Sequence, residues 1–154
     1  MKEVLIGSDH RGYNLKEHIK KYLAKKSVKV IDFGPKNYNK NDDYPDVSFK
    51  VAKKIASDKK DNLTGILICG SGAGVSIVAN KVKGVRAILV FNKKLAIQAR
   101  EHEDANIAAL PSDWITKKTS EDIVDAWLGT KFSGEKRHER RLKKIKLAER
   151  KFFK

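Results

Sequence analysis

Gly65-Ile66-Leu67-Ile68-Cys69, then Gly70-Ser71-Gly72-Ala73-Gly74, then Val75-Ser76-Ile77-Val78-Ala79-Asn80-Lys81 is the stretch that decides the fold. An apolar run bounded by turn residues suits a strand covered on both faces. The glycines make the turn, and the segment after them has helical character. The order strand, turn, helix puts the single cysteine at a strand end. There it stands beside unpaired backbone N–H groups and the positive end of a helix dipole. Such surroundings favour the thiolate, which acts as a base or nucleophile. A buried core cysteine is the plainer alternative, since free cysteines are often inert core residues. The glycine turn directly after Cys69 favours chemistry.

Working outward, strand-like and helix-like segments alternate. Val4-Leu5-Ile6-Gly7-Ser8 is a short apolar run. Leu15, Ile19, Tyr22 and Leu23 mark a helix over Tyr13 to Lys25. Val28 to Asp32 alternates as a strand, and the polar stretch from Gly34 to Asp43 is a loop. Tyr44-Pro45-Asp46 opens a helix reaching about Asp58, with proline near its start. Val85 to Val90 is a fourth strand, Lys93 to His102 a helix, Ile107 to Leu110 a fifth strand, and Thr119 to Leu128 a helix.

Five strands separated by helices predict parallel β-α-β units with right-handed crossovers. The expected architecture is a three-layer αβα, Rossmann-like sandwich around a five-stranded parallel sheet. A C-terminal amphipathic helix follows, at about residues 137–152. Reactive groups in such sheets gather at the carboxyl ends of the strands. Asp9 and His10 lie just past the first strand and Cys69 ends the third. His102 lies at a helix end before the fifth strand, where that rule does not place it. In the last helix Arg137, Arg140, Arg141 and Lys144 share a helical spacing, as do Leu142, Ile145 and Phe152. That apolar stripe needs a cover, either its own domain or a second subunit.

The chain has 154 residues, the length of one domain, and 1–154 is expected to form one unit. No apolar run reaches the ~18 residues needed to span a bilayer. No signal-peptide core precedes the first strand, which begins directly after Met1-Lys2-Glu3. One cysteine forms no internal disulfide, and no C-x-x-C supplies a structural zinc site. These features predict a cytoplasmic protein away from membranes, with no bound metal. The formal net charge of +15 raises nucleic-acid binding as an alternative. The lysines are scattered, however, and aromatics do not interleave with them as a stacking platform requires. A generally basic surface, or one that attracts small anions, accounts for the charge better.

The glycine turn superficially resembles a dinucleotide fingerprint. The G-x-G-x-x-G spacing fails because the third glycine, Gly74, comes one position early. The motif also follows the third strand rather than the first, which disfavours NAD. The turn suits an oxyanion or phosphate instead. Asp9 and His10 offer an acid–base pair; a helix N-cap at Asp9 with a solvated His10 is the alternative. His102 is an acid–base candidate or a surface histidine favoured by a helix C-terminus. Arg137 and Arg141, four apart on a helix, suit one phosphate or form a solvated face.

Taken together, these stretches resemble the type B ribose-5-phosphate isomerase family, which includes the galactose-6-phosphate isomerase subunits. The resemblance is carried by Gly7-Ser8-Asp9-His10, Asp43-Tyr44-Pro45-Asp46, Ile66 through Ser76, Ala79-Asn80-Lys81, Gly84-Val85-Arg86-Ala87, His102 with Asn106, Asp125-Ala126-Trp127-Leu128 and Arg137-His138-Glu139-Arg140-Arg141. It implies a cofactor-independent aldose–ketose isomerase of the pentose phosphate pathway, interconverting ribose 5-phosphate and ribulose 5-phosphate. Six-carbon sugar phosphates are the alternative substrates. By the same resemblance, Cys69 moves a proton between C1 and C2, and Ser71 helps to polarise the thiol. The N–H groups of Gly70, Ser71, Gly72, Ala73 and Gly74 hold the enediolate oxygen. His102 opens the sugar ring, and Glu103 beside it is a substrate-binding position. Asp9 and His10 hold ring hydroxyls or assist the opening, Tyr44 lines the pocket, and Arg137 and Arg141 bind the phosphate. The family implies a homodimer or tetramer with sites shared between subunits, and no metal or organic cofactor. The chain departs from the family pattern at Asp113, where an arginine is expected, and at Glu103, where an asparagine is expected.

Overall fold

A computed structural model describes residues 3–153. Met1, Lys2 and Lys154, the ends of the expected unit, lie outside the described residues. The elements are β1 (Glu3–Ser8), α1 (Tyr13–Lys25), β2 (Val30–Asp32), α2 (Tyr44–Ala56), β3 (Leu63–Cys69), α3 (Ala73–Ala79), β4 (Ala87–Leu89), α4 (Lys93–Glu103), β5 (Ile107–Pro111), α5 (Lys117–Gly129) and α6 (Lys136–Phe152). All the strands pair in parallel, in the order β2-β1-β3-β5-β4. The expected α/β sandwich is the fold.

Alternation along each strand divides the core into two layers, because successive side chains point to opposite faces. Val4, Ile6, Ile66, Ile68, Ala108 and Leu110 face α1, α4 and α5, meeting Leu15, Ile19, Ala96, Ile123 and Trp127. Leu5, Leu67, Cys69, Ile107 and Ala109 face α2 and α3, meeting Val51, Ile55, Val75 and Ala79. The side chain of Cys69 therefore belongs to the α2–α3 side. Trp127 is held by more than burial: its indole N–H donates to Thr64 Oγ1 at 2.8 Å. The Arg100 guanidinium stands 5.5 Å from the same ring.

Two strands are shorter than the sequence pattern suggests, and both are sheet edges. Val28 does not enter β2, because its N–H donates to Leu23 O and finishes the end of α1. Ser27 turns the chain there with φ of 55°. Val85 likewise closes a turn on Val82 O before β4 begins. α6 lies outside the three layers. Its one buried residue is His138, and it is fastened further along where Glu149 accepts the Gly84 N–H at 2.9 Å.

Candidate active site

At the carboxyl edge of the sheet, the loops after β1 and β5 are laced to the end of β3 and its turn. The Asp9 N–H donates to Ile68 O at 3.3 Å. Ser112 donates its N–H to Cys69 O at 2.9 Å, and Asp113 donates its N–H to Gly70 O at 3.0 Å. The Ser112 hydroxyl lies 3.1 Å from both Arg11 O and Cys69 O. Backbone bonds thus hold the segments after β1, β3 and β5 in one arrangement, as a preorganised site requires.

Cys69 sits at the centre of this edge, 3% exposed. The Gly72 N–H points at its sulfur from 3.1 Å. Gly72 has φ of +72°, the left-handed region, and turns the chain so that this amide faces back to Sγ. A side chain there would also strike Leu89, with its Cβ 2.5 Å from Leu89 Cδ1. Two of the turn's donors are therefore committed inside the protein, since the Ala73 N–H donates to Ser71 Oγ at 3.3 Å. Ser71 is exposed, and among the described residues no hydrogen bond joins its hydroxyl to the thiol. The Tyr44 ring lies against Gly74, 2.8 Å from where a Cβ would stand. Beside the turn, an apolar cavity of about 420 Å³ is lined by Ser71, Leu89, Phe91, Pro111 and Trp114.

Asp9 is 5% exposed and accepts the Gly12 N–H at 3.0 Å, closing the turn that leads into α1. The N-cap of α1 is Gly12 and not Asp9, which instead closes the turn before the helix. Burial raises its pKa above the ordinary carboxylate value, with the Gly12 bond opposing. His10 is partly exposed, and Asp42 Oδ1 accepts from its backbone N–H at 2.7 Å and lies 2.8 Å from its Nδ1. That carboxylate raises the pKa of His10. Asp42 was not among the sequence candidates. It lies in the polar loop before α2, and no local periodicity links it to a histidine 32 residues away.

Asp113, the residue out of keeping with the family pattern, does not stand bare. It pairs with Arg11. The pair lies directly over Gly70, whose Cβ, if present, would be 2.8 Å from Asp113 Oδ2.

His102, Glu103, Arg137 and Arg141 are elsewhere. His102 and Glu103 end α4 just before β5, at the amino edge of the sheet. In the β3–β5 register Gly65 lies opposite Ile107, and Cys69 lies opposite Pro111. Four residues of strand, roughly 13 Å, separate those two levels. The beginning of α6 is joined to the same end of α4. The Ser133 N–H donates to Glu101 O at 3.1 Å, and the His138 ring lies 4.4 Å from that of His102. Arg137 and Arg141 are exposed, and Arg137 holds Glu135 at 2.7 Å. One chain therefore brings together Asp9, His10, Tyr44, Cys69 and the Gly70–Gly74 turn. It gathers His102, Glu103, Arg137 and Arg141 as a separate group at the other edge. No helix of the described residues is long and apolar enough to cross a membrane.

A parallel α/β sheet with a thiol, a glycine turn and a carboxylate-paired histidine at its carboxyl edge defines an acid–base enzyme of the doubly wound class. The ribose/galactose isomerase family model matches residues 4–145. The chain is 46% identical over 142 residues to a probable ribose-5-phosphate isomerase B of Mycoplasma genitalium, covering 92% of each. It is 39% identical to ribose-5-phosphate isomerase B of Escherichia coli, covering 94% of this chain and 95% of that one. Among solved structures, ribose-5-phosphate isomerase B of Mycoplasma genitalium with bound ribulose 5-phosphate superposes with a TM-score of 0.91 at 45% identity, covering 96% of each chain. The Clostridium thermocellum ribose-5-phosphate isomerase B gives a TM-score of 0.91 at 47% identity, covering 97% of this chain and 99% of that one. The chain belongs to the ribose/galactose isomerase family.

Proposed function

We propose that this protein interconverts ribose 5-phosphate and ribulose 5-phosphate by ring opening and proton transfer through an enediolate. The observation that carries the reading is Cys69, centred at the carboxyl edge with an amide directed at its sulfur. It occurs in a chain that matches a relative solved with ribulose 5-phosphate over nearly its whole length. Cys69 as thiolate takes the proton from C2 and returns it to C1. The electron pair released from the C–H bond passes to the carbonyl oxygen, and the free N–H groups of the Gly70–Gly74 turn receive that charge. Asp9 and His10 bind the sugar hydroxyls, Tyr44 walls the pocket, and Ser71 lines the cavity beside the turn.

His102 protonates the ring oxygen as the ring opens, with Glu103 next to it, and Arg137 and Arg141 hold the phosphate. In one chain these four lie at the wrong edge of the sheet. We therefore assign them to a second copy, so that each site is built from a homodimer. The exposed arginine-bearing face of α6 supports this, since it gathers positive charge beside His102 with little of its own domain to serve. Residues 1–154 act as one isomerase unit in the cytoplasm, where a free thiol stays reduced.

The test is an assay of ribose 5-phosphate and ribulose 5-phosphate interconversion, with six-carbon sugar phosphates in the same panel. Cys69→Ala should lower kcat/KM by about 10²- to 10⁴-fold, the range for a removed acid–base group. Undiminished activity in that variant would reject Cys69 as the base.

A further inference from the structure

Asp42 has no role in the site as drawn so far, yet its placement is specific. Its Oδ1 receives both the backbone N–H and Nδ1 of His10. A carboxylate accepts and does not donate, so Nδ1 must carry a proton. That leaves Nε2 as the only ring atom free to face a ligand, and no described residue bonds it. The other carboxylate oxygen, Oδ2, is buried with no hydrogen-bond partner among the described residues. So is the hydroxyl of Ser8, the residue before Asp9. Both side chains line one cavity of about 250 Å³, together with Phe33, Pro35 and Val47. Among the described residues, the hydrogen-bond partners of the Asp42 carboxylate are therefore the backbone N–H and ring of His10. The groups facing His10 are Asp42, Asp9 on the preceding residue, and the edge-on Tyr38 ring at 6.3 Å.

We propose that Asp42 is a positioning residue for the isomerase reaction, locking His10 with Nδ1 inward so that Nε2 presents a proton to a sugar oxygen. This rests on the sugar-phosphate isomerase reading above. The chain's own half of the site thereby carries a charged donor 32 residues from its counter-ion, independent of His102. A neutral imidazole with Nδ1 protonated would offer only a lone pair at Nε2. The Asp42 carboxylate thus favours the protonated ring, in which Nε2 is a donor, in keeping with the raised pKa of His10.

The decisive variant is Asp42→Asn, which keeps an oxygen for both His10 donors and removes the charge. His10 is followed by NMR titration of its ring, identified by the signal lost in His10→Gln, and kcat/KM is measured from pH 6 to pH 9. In Asp42→Asn the His10 titration and the basic limb of kcat/KM should both move to lower pH. The variant should match the parent near pH 6 and fall about tenfold behind it near pH 8, the scale of one lost acid–base contribution. Asp42→Glu should restore much of the difference. A purely structural role would lower activity equally at all pH values, or leave the His10 titration in place; either result overturns the proposal. A parent protein that isomerises none of the sugar phosphates would instead overturn the reading on which it rests.

Discussion

The two edges of the sheet are built by different means. At the carboxyl edge, Cys69, Gly70, Asp9, Ser112 and Asp113 are tied by backbone hydrogen bonds between three loops, and Cys69 and Asp9 are buried. At the amino edge, His102, Arg137 and Arg141 are side chains on two helix faces, held by the His102–His138 stack and the Glu149–Gly84 bond. The first edge is a finished half of a site. The second holds the groups proposed above as the general acid and the phosphate anchors, about four strand residues away from Cys69 in the same chain. Geometry of this kind makes sense when the same surface serves a neighbour, because a two-fold pair uses each edge once in each site.

The comparison breaks most sharply in a mixing experiment. Cys69→Ala and His102→Ala should each be nearly inactive alone. Co-expressed in equal amounts, half of the dimers are mixed and each mixed dimer has one intact site, so about one quarter of parental activity should return. A site confined to one chain would return none, since every chain in the mixture lacks one of the two groups. Recovery near zero in demonstrably mixed dimers would reject a site shared between two subunits.

The phosphate end gives the next effect. Arg137→Ala and Arg141→Ala should each raise KM by about ten- to a hundredfold, as expected for one lost hydrogen bond to a charged group, with a smaller change in kcat. Inhibition by inorganic phosphate should weaken in parallel. A fall in kcat at unchanged KM would mean that the arginines position the reacting carbon rather than the anion.

The sheet and its helices were legible because each rests on local pattern. Ile66, Leu67 and Ile68 read as a doubly covered strand, and Gly70, Gly72 and Gly74 as the turn that follows. The edge-strand limits were not, since Val28 and Val85 are as β-prone as their neighbours and are withdrawn by bonds to Leu23 and Val82. Within the site, Cys69, Asp9 and His10 stand out because strand ends collect reactive groups. Asp42 and Arg11 do not, because their partners lie 32 and 102 residues away and only the folded chain brings them together. His102 was visible as a residue and not as a location. A helix end before a strand belongs to the amino edge, and the consequence appears only with the β3–β5 register.

The smallest effect sharpens the carboxyl edge itself. Asp113 should repel a substrate phosphate, but Arg11 cancels it across Gly70. The side chains are 60% and 39% exposed, so water screens both and the pair adds little to stability, within about 1 kcal/mol. Its effect on an arriving dianion is of the same order. Arg11→Ala uncovers the carboxylate and should raise KM about fivefold, whereas Asp113→Ala frees the guanidinium and should lower KM or leave it unchanged. The double variant should return close to the parent, because the two charges leave together. Raising the salt to about 0.5 M should shrink the Arg11→Ala effect, as screening shortens the reach of exposed charges below the ~10 Å found at 0.1 M. A double variant that keeps the higher KM of Arg11→Ala would mean that Arg11 meets the substrate without regard to Asp113, and that the pair across Gly70 does not govern the phosphate.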